Sequence, residues 1–120
     1  MYKSTRGKCK EISSSEAMIK GIADDKGLYI PNVIPKITES LETICAYSYN
    51  DLAIYILKHY LDDFTIEEIH NCVNNAYDNK FEHNNIAPIF KKENAYFLEL
   101  YHGPTSAFKD MALCLSLIHI

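Results

Sequence analysis

The sequence contains no stretch of apolar residues approaching the roughly 20 that a membrane span needs. It has no block of like charges and only four glycines, at positions 7, 21, 27 and 103. The first absence removes a transmembrane helix. The second, with twelve basic against sixteen acidic side chains and a formal charge of −4, makes nucleic acid and anionic membrane poor partners. The third leaves no glycine-rich loop of the kind that cradles phosphate at a helix start. The opening MYKSTRGKCK lacks the apolar centre of a signal peptide and is not arginine-rich like a transit peptide. Cys9, Cys45, Cys72 and Cys114 include no C-x-x-C pair, and no two histidines stand at metal-ligand spacing. There is no internal repeat. What remains, 48% hydrophobic and 23% charged, reads as a soluble, globular, cytoplasmic chain with reduced thiols and no metal.

Patterning predicts the elements. Met1 to Thr5 reads as a short strand with a turn at Gly7. Ser13 stands three residues before Glu16, the spacing of a capping box, and opens a short helix that Gly21 ends. GLYIP (27–31) is extended, Pro31 and Pro35 keep the next stretch out of helix, and a helical turn follows around Leu41 to Cys45. Ser48 and Asp51 cap DLAIYILKHYL, which is apolar almost all round and so must be buried on more than one side. Thr65 and Glu68 repeat the capping-box spacing. Behind them Ile66, Ile69, Val73, Ala76 and Tyr77 share one helical face, with Glu67, Asn71, Asn74 and Asn75 on the solvated face. Residues 79–85 are polar and irregular, the best candidate boundary. AYFLELY (95–101) then alternates like a strand; as a buried one it needs neighbours on both edges. The expected architecture is α/β: a mostly helical unit over residues 1–80, followed over 81–120 by the first strand, loop and helix of an incomplete second domain. The chain is expected to be the front end of a longer protein.

The stretch HGPTSAFKD (102–110) lies between the apolar runs AYFLELY and MALCL. Gly103 and Pro104 break the strand, and Thr105 or Ser106 can cap a new helix whose first turn holds Lys109. A lysine there faces the positive end of the helix dipole and, beside Phe108 and Met111, loses solvent. Both effects favour the neutral amine, which is the nucleophile that a Schiff base requires. The alternative is a surface lysine that snorkels into water, with Asp110 neutralising its charge. His102 faces a site or satisfies a backbone group. Thr105 contacts a ligand or, the favoured reading, caps the helix. Phe108 lies near a cofactor ring or packs in the core, and Arg6 is a contact of the N-terminal segment or a surface group. The other histidines form no constellation.

HGPTSAFKD resembles the pyridoxal-phosphate attachment motif of the threonine synthase family, HGPTxAFKD. YKSTRG (2–7) and SSSEAMIKGIADDKGLYIPNVIP (13–35) resemble that family's N-terminal signature, with Lys26 departing from the usual glycine. The resemblance implies a type-II pyridoxal-phosphate fold, similar to the tryptophan synthase β-subunit, preceded by a small N-terminal domain. It implies conversion of O-phospho-L-homoserine and water into L-threonine and phosphate. Lys109 would then carry pyridoxal phosphate as a Schiff base and move the protons, Thr105 and Phe108 would lie by the cofactor, and His102 by the substrate. The cofactor's phosphate loop and the partner of its ring nitrogen are expected downstream. Two rivals stand beside this reading. One is a threonine-synthase-like phospho-lyase that releases a keto acid; the other is a non-catalytic helical interaction domain with the lysine incidental. LSLIHI (115–120) fits the family poorly and resembles adapter read-through, and the sequence does not tell whether it is native.

Overall fold

Side-chain caps set most of the helix starts. The computed structural model describes residues 1–116, so residues 117–120 of the LSLIHI stretch lie outside the described residues. The Ser13 hydroxyl accepts from the Glu16 N–H and the Glu16 carboxylate accepts from the Ser13 N–H, opening α1 (Ser14–Lys20), which Gly21 ends at φ 66°. That left-handed conformation costs glycine little. Ser40 caps α2 (Leu41–Cys45) and Ser48 caps α3 (Tyr49–Leu57). A second full capping box, Thr65 with Glu68, starts α4 (Ile66–Ala76).

Four short strands lie among the described residues. β1 (Tyr2–Ser4) pairs antiparallel with β2 (Tyr29–Pro31), Lys3 opposite Ile30, and a single bridge joins Tyr2 to Ile12. β3 (Ile89–Lys92) and β4 (Ala95–Leu98) form a hairpin in which Phe90 stacks on Phe97 at 5.1 Å between ring centres. Glu93, first of its two turn residues, has φ 54°, as tight hairpin turns require. α5 (Asp110–Ser116) closes the described part.

The core lies between α3, α4 and the segment after α4. Ile54, Ile69, Val73, Ala76, Tyr77, Phe81 and Ile86 form one buried cluster, and Met111, Cys114 and Leu115 pack against it. The lysine-bearing segment is tied to this helical body by two long-range bonds. The Tyr77 hydroxyl donates to the Met111 carbonyl at 2.6 Å, and the Glu82 N–H donates to the His102 carbonyl at 2.9 Å. Both ends of the intervening loop are therefore held by residues that precede it by about twenty to thirty-four positions.

Two expectations need correction. Ile66 is 53% exposed although it shares the predicted apolar face; it is the first helical residue of α4. The strand in AYFLELY is only Ala95–Leu98, and all four of its residues are exposed. It pairs with one neighbour, β3, which the pattern reading missed, and no third strand covers its other edge among the described residues. Arg6, for which a surface position is one of two alternatives, is exposed in the turn after β1, where its N–H donates to the Ser4 hydroxyl.

Candidate functional site

The loop from His102 to Asp110 is shaped by one carboxylate. Asp110 is the first residue of α5 and its side chain turns back into the loop, where it is 3% exposed. It accepts from the Thr105 N–H at 2.8 Å and from the Thr105 hydroxyl at 2.6 Å. The Thr105 hydroxyl first, then the Thr105 and Ala107 N–H groups, hold its carboxyl below the ordinary value, against the opposing effect of desolvation. Gly103 is buried directly beneath it. A Cβ on Gly103 would lie 2.6 Å from Asp110 Cβ and Oδ2, so the close approach excludes any other residue. Ser106 at φ 55°, with its N–H on the Gly103 carbonyl at 3.0 Å, completes the reversal.

Lys109 sits where this loop becomes helix. Its carbonyl accepts from the N–H groups of Ala112 and Leu113 at 3.0 and 2.9 Å, which makes it the residue preceding the helix proper and not a member of its first turn. Its side chain is exposed, and Phe108 beside it is 65% exposed. The expected burial of this pair is therefore absent: Lys109 is an amine on the surface of the described residues, and Phe108 is not packed in a core. Thr105 does not cap α5 either: it stands five residues before Asp110, the first residue of that helix, and its hydroxyl donates to the Asp110 side chain. Nor does Asp110 neutralise Lys109. Among the described residues the ion pairs are those of the N-terminus, Lys20, Lys80 and His102, and the Lys109 amine has none.

His102 stands at the other end of the loop, half-buried. Its Nε2 lies 2.6 Å from Glu99 Oε2, and its ring lies 4.6 Å from that of Tyr101 and 5.2 Å from that of His83. The same Glu99 carboxylate accepts the Tyr101 hydroxyl at 2.7 Å, and the Tyr101 and His102 bonds hold its carboxyl below the ordinary value. A histidine so engaged orients the start of the loop. Glu99 and Glu82 escaped the sequence reading, which placed Tyr77 on the buried helix face without its bond to Met111; only Glu99 left a local signal, three residues before His102. No group of three or more His, Cys, Asp or Glu side chains is gathered as a metal site among the described residues.

The match that decides the family covers the helical body. A family model described as "Threonine synthase N terminus" matches residues 1–77. The chain belongs to this family. Its similarity to threonine synthases also runs past residue 77. The threonine synthase of Eremothecium gossypii is 39% identical over 94% of this chain. The crystal structure of pyridoxal-phosphate-bound threonine synthase from Brucella melitensis superposes on 96% of it with a TM-score of 0.87 at 34% identity. The yeast threonine synthase structure gives 0.84 at 34% identity over 98%. The chain spans about a quarter of these relatives: 24% of the Eremothecium protein and 25% of each solved chain. In threonine synthase terms, the family segment 1–77 supplies Tyr77, the residue whose hydroxyl holds the helix after Lys109. No helix of the described residues is long and apolar enough to cross a membrane.

Proposed function

We propose that this chain is the leading portion of a cytoplasmic threonine synthase, with residues 1–80 as its N-terminal domain and 81–120 as the beginning of its catalytic domain. The observation that carries the reading is the Lys109 amine: exposed, without an ion pair among the described residues, and projecting from a loop fixed at both ends. That amine fits the covalent anchor of pyridoxal phosphate. The rest of a cofactor site, a phosphate cradle above all, is not supplied by the four glycines, of which Gly103 backs Asp110.

Pyridoxal phosphate, when bound, supplies an electron sink for charge developing beside the substrate's amino carbon. Lys109 Nζ would hold the cofactor covalently, and the same amine would take and return protons at the Cα and Cβ of O-phospho-L-homoserine. Thr105 and Asp110 fix the turn from which that amine reaches. The test is product analysis on a protein of the relatives' full length. With O-phospho-L-homoserine it should release phosphate and L-threonine in equal amounts, and Lys109→Ala should abolish both. Phosphate accompanied by a keto acid in place of threonine would assign the phospho-lyase activity. Phosphate and threonine unaffected by Lys109→Ala would overturn the reading.

A further inference from the structure

Two lysines of this chain pair with carboxylates four and two positions away. The Lys20 amine lies 2.8 Å from Asp24 and the Lys80 amine 3.3 Å from Asp78. Lys109 and Asp110 are direct neighbours and do not pair among the described residues. The Asp110 carboxylate is engaged within the loop instead. The Thr105 hydroxyl and N–H and the Ala107 N–H converge on it, and the bare Cα of Gly103 leaves the space in which it lies. The two Thr105 bonds are short and charge-assisted, whereas a salt bridge to an exposed ammonium at the end of a flexible stem would be screened and entropically costly.

The consequence is chemical. An ammonium paired with a carboxylate is stabilised in its charged form and is a poorer nucleophile than one left alone. We propose that Thr105 is a positioning residue that holds the Asp110 carboxylate away from Lys109, so that the Lys109 amine stays free to form and break covalent bonds. Its catalytic meaning rests on the reading of Lys109 as the cofactor anchor, a reading in which Thr105 acts through Asp110 and need not touch the cofactor.

The experiment measures amine availability directly. The 120-residue chain is labelled with trace acetic anhydride near neutral pH, and peptide mapping gives the label on Lys109 relative to exposed Lys36. Thr105→Val removes the hydroxyl donor, and Gly103→Ala pushes the carboxylate out of its place. Each should lower Lys109 labelling by about two- to fivefold, the effect of an exposed ion pair. Asp110→Asn alone should not lower it, and adding Asp110→Asn to Thr105→Val should restore the wild-type level. A merely structural role would loosen the loop in all of these variants and give no such rescue. Unchanged labelling in both Thr105→Val and Gly103→Ala, or a drop that persists in the double variant, would overturn the proposal.

A parallel arm uses pyridoxal phosphate with borohydride reduction. Wild-type Lys109 should take up more of that label than the ion-paired Lys20 and Lys80. If it acetylates normally but takes up no more phosphopyridoxyl label than they do, the cofactor reading fails and with it the purpose assigned to Thr105. The acetylation series still decides whether Thr105 diverts Asp110.

Discussion

Two tyrosines of the helical body make opposite predictions from the same substitution. The Tyr77 hydroxyl donates to the Met111 carbonyl at 2.6 Å, and its ring packs edge-on against Tyr49 at 4.9 Å and tilted against Phe81 at 5.8 Å. Burial drives its own ionisation far above the ordinary range, so it is a hydroxyl donor at any pH of interest. Tyr77→Phe keeps the ring contacts and deletes the hydroxyl's bond to Met111, which joins α4's end to α5, together with its hydroxyl contact to Tyr49. Met111 lies within a helix, so its carbonyl is not left orphaned and the loss should be about 0.5–1.5 kcal/mol. For a chain of this size that is a fall in melting temperature of roughly 2–6 °C. Tyr55 is also buried, 5% exposed, but its hydroxyl has no partner among the described residues. Removing an unsatisfied buried polar group relieves its desolvation cost. Tyr55→Phe should therefore leave the melting temperature unchanged or raise it. Thermal melts by circular dichroism measure both, and hydrogen exchange should show faster exchange confined to α5 in Tyr77→Phe. If Tyr55→Phe costs as much as Tyr77→Phe, or if α5 exchange is unmoved, the bond to Met111 does not hold the lysine helix.

Two further outcomes follow from burial and charge. Ile69, 2% exposed, and Ile66, 53% exposed, lie on the same helix. Ile69→Ala should cost about 2–5 kcal/mol in urea denaturation, and Ile66→Ala within about 0.5 kcal/mol; equal costs would refute the placement of the core. Asp25 accepts the Ser4 hydroxyl at 2.6 Å, the Gly27 N–H at 2.9 Å and the Lys8 N–H at 3.0 Å, and its carboxyl is lowered from 3.8 to about 2, chiefly by the Ser4 bond. A depressed folded-state value gives stability that is present above the unfolded value and lost as pH falls through the folded one. The β1–β2 region should therefore weaken between about pH 4 and pH 2. Ser4→Ala should raise the Asp25 titration, followed by carboxyl carbon NMR, and flatten that part of the acid profile.

Legibility in the sequence tracked how local the cause was. Both capping boxes, the Gly21 stop and the buried face of α4 were readable because each depends on residues three or four apart, whose relation the backbone fixes. The exposure of Ile66 and of the β3–β4 hairpin was not, since it depends on which neighbours cover a face. In HGPTSAFKD the sequence presented the right residues and the wrong contacts. Lys109 and Asp110 adjoin, which suggests pairing, but side-chain direction in a loop is set by the turn. There Ser106 at φ 55° and the space over Gly103 bring Thr105 back onto Asp110. Spacing alone carries no record of that reversal.

The same distinction separates having the lysine from having the site. An exposed primary amine reacts with an aldehyde reversibly and weakly. Tight retention of pyridoxal phosphate needs donors for its phosphate, for which a glycine-rich turn at a helix start is the usual means. Here Gly7 and Gly21 end local turns, Gly27 lies against Ser4 and Asp25, and Gly103 lies against Asp110. The 120-residue chain should therefore lose pyridoxal phosphate on gel filtration and keep no visible absorbance band, while borohydride still fixes label to Lys109. Should a band survive filtration and vanish in Lys109→Ala, this chain would possess a phosphate site of its own, and the division of labour argued between its lysine and the residues beyond it would be wrong.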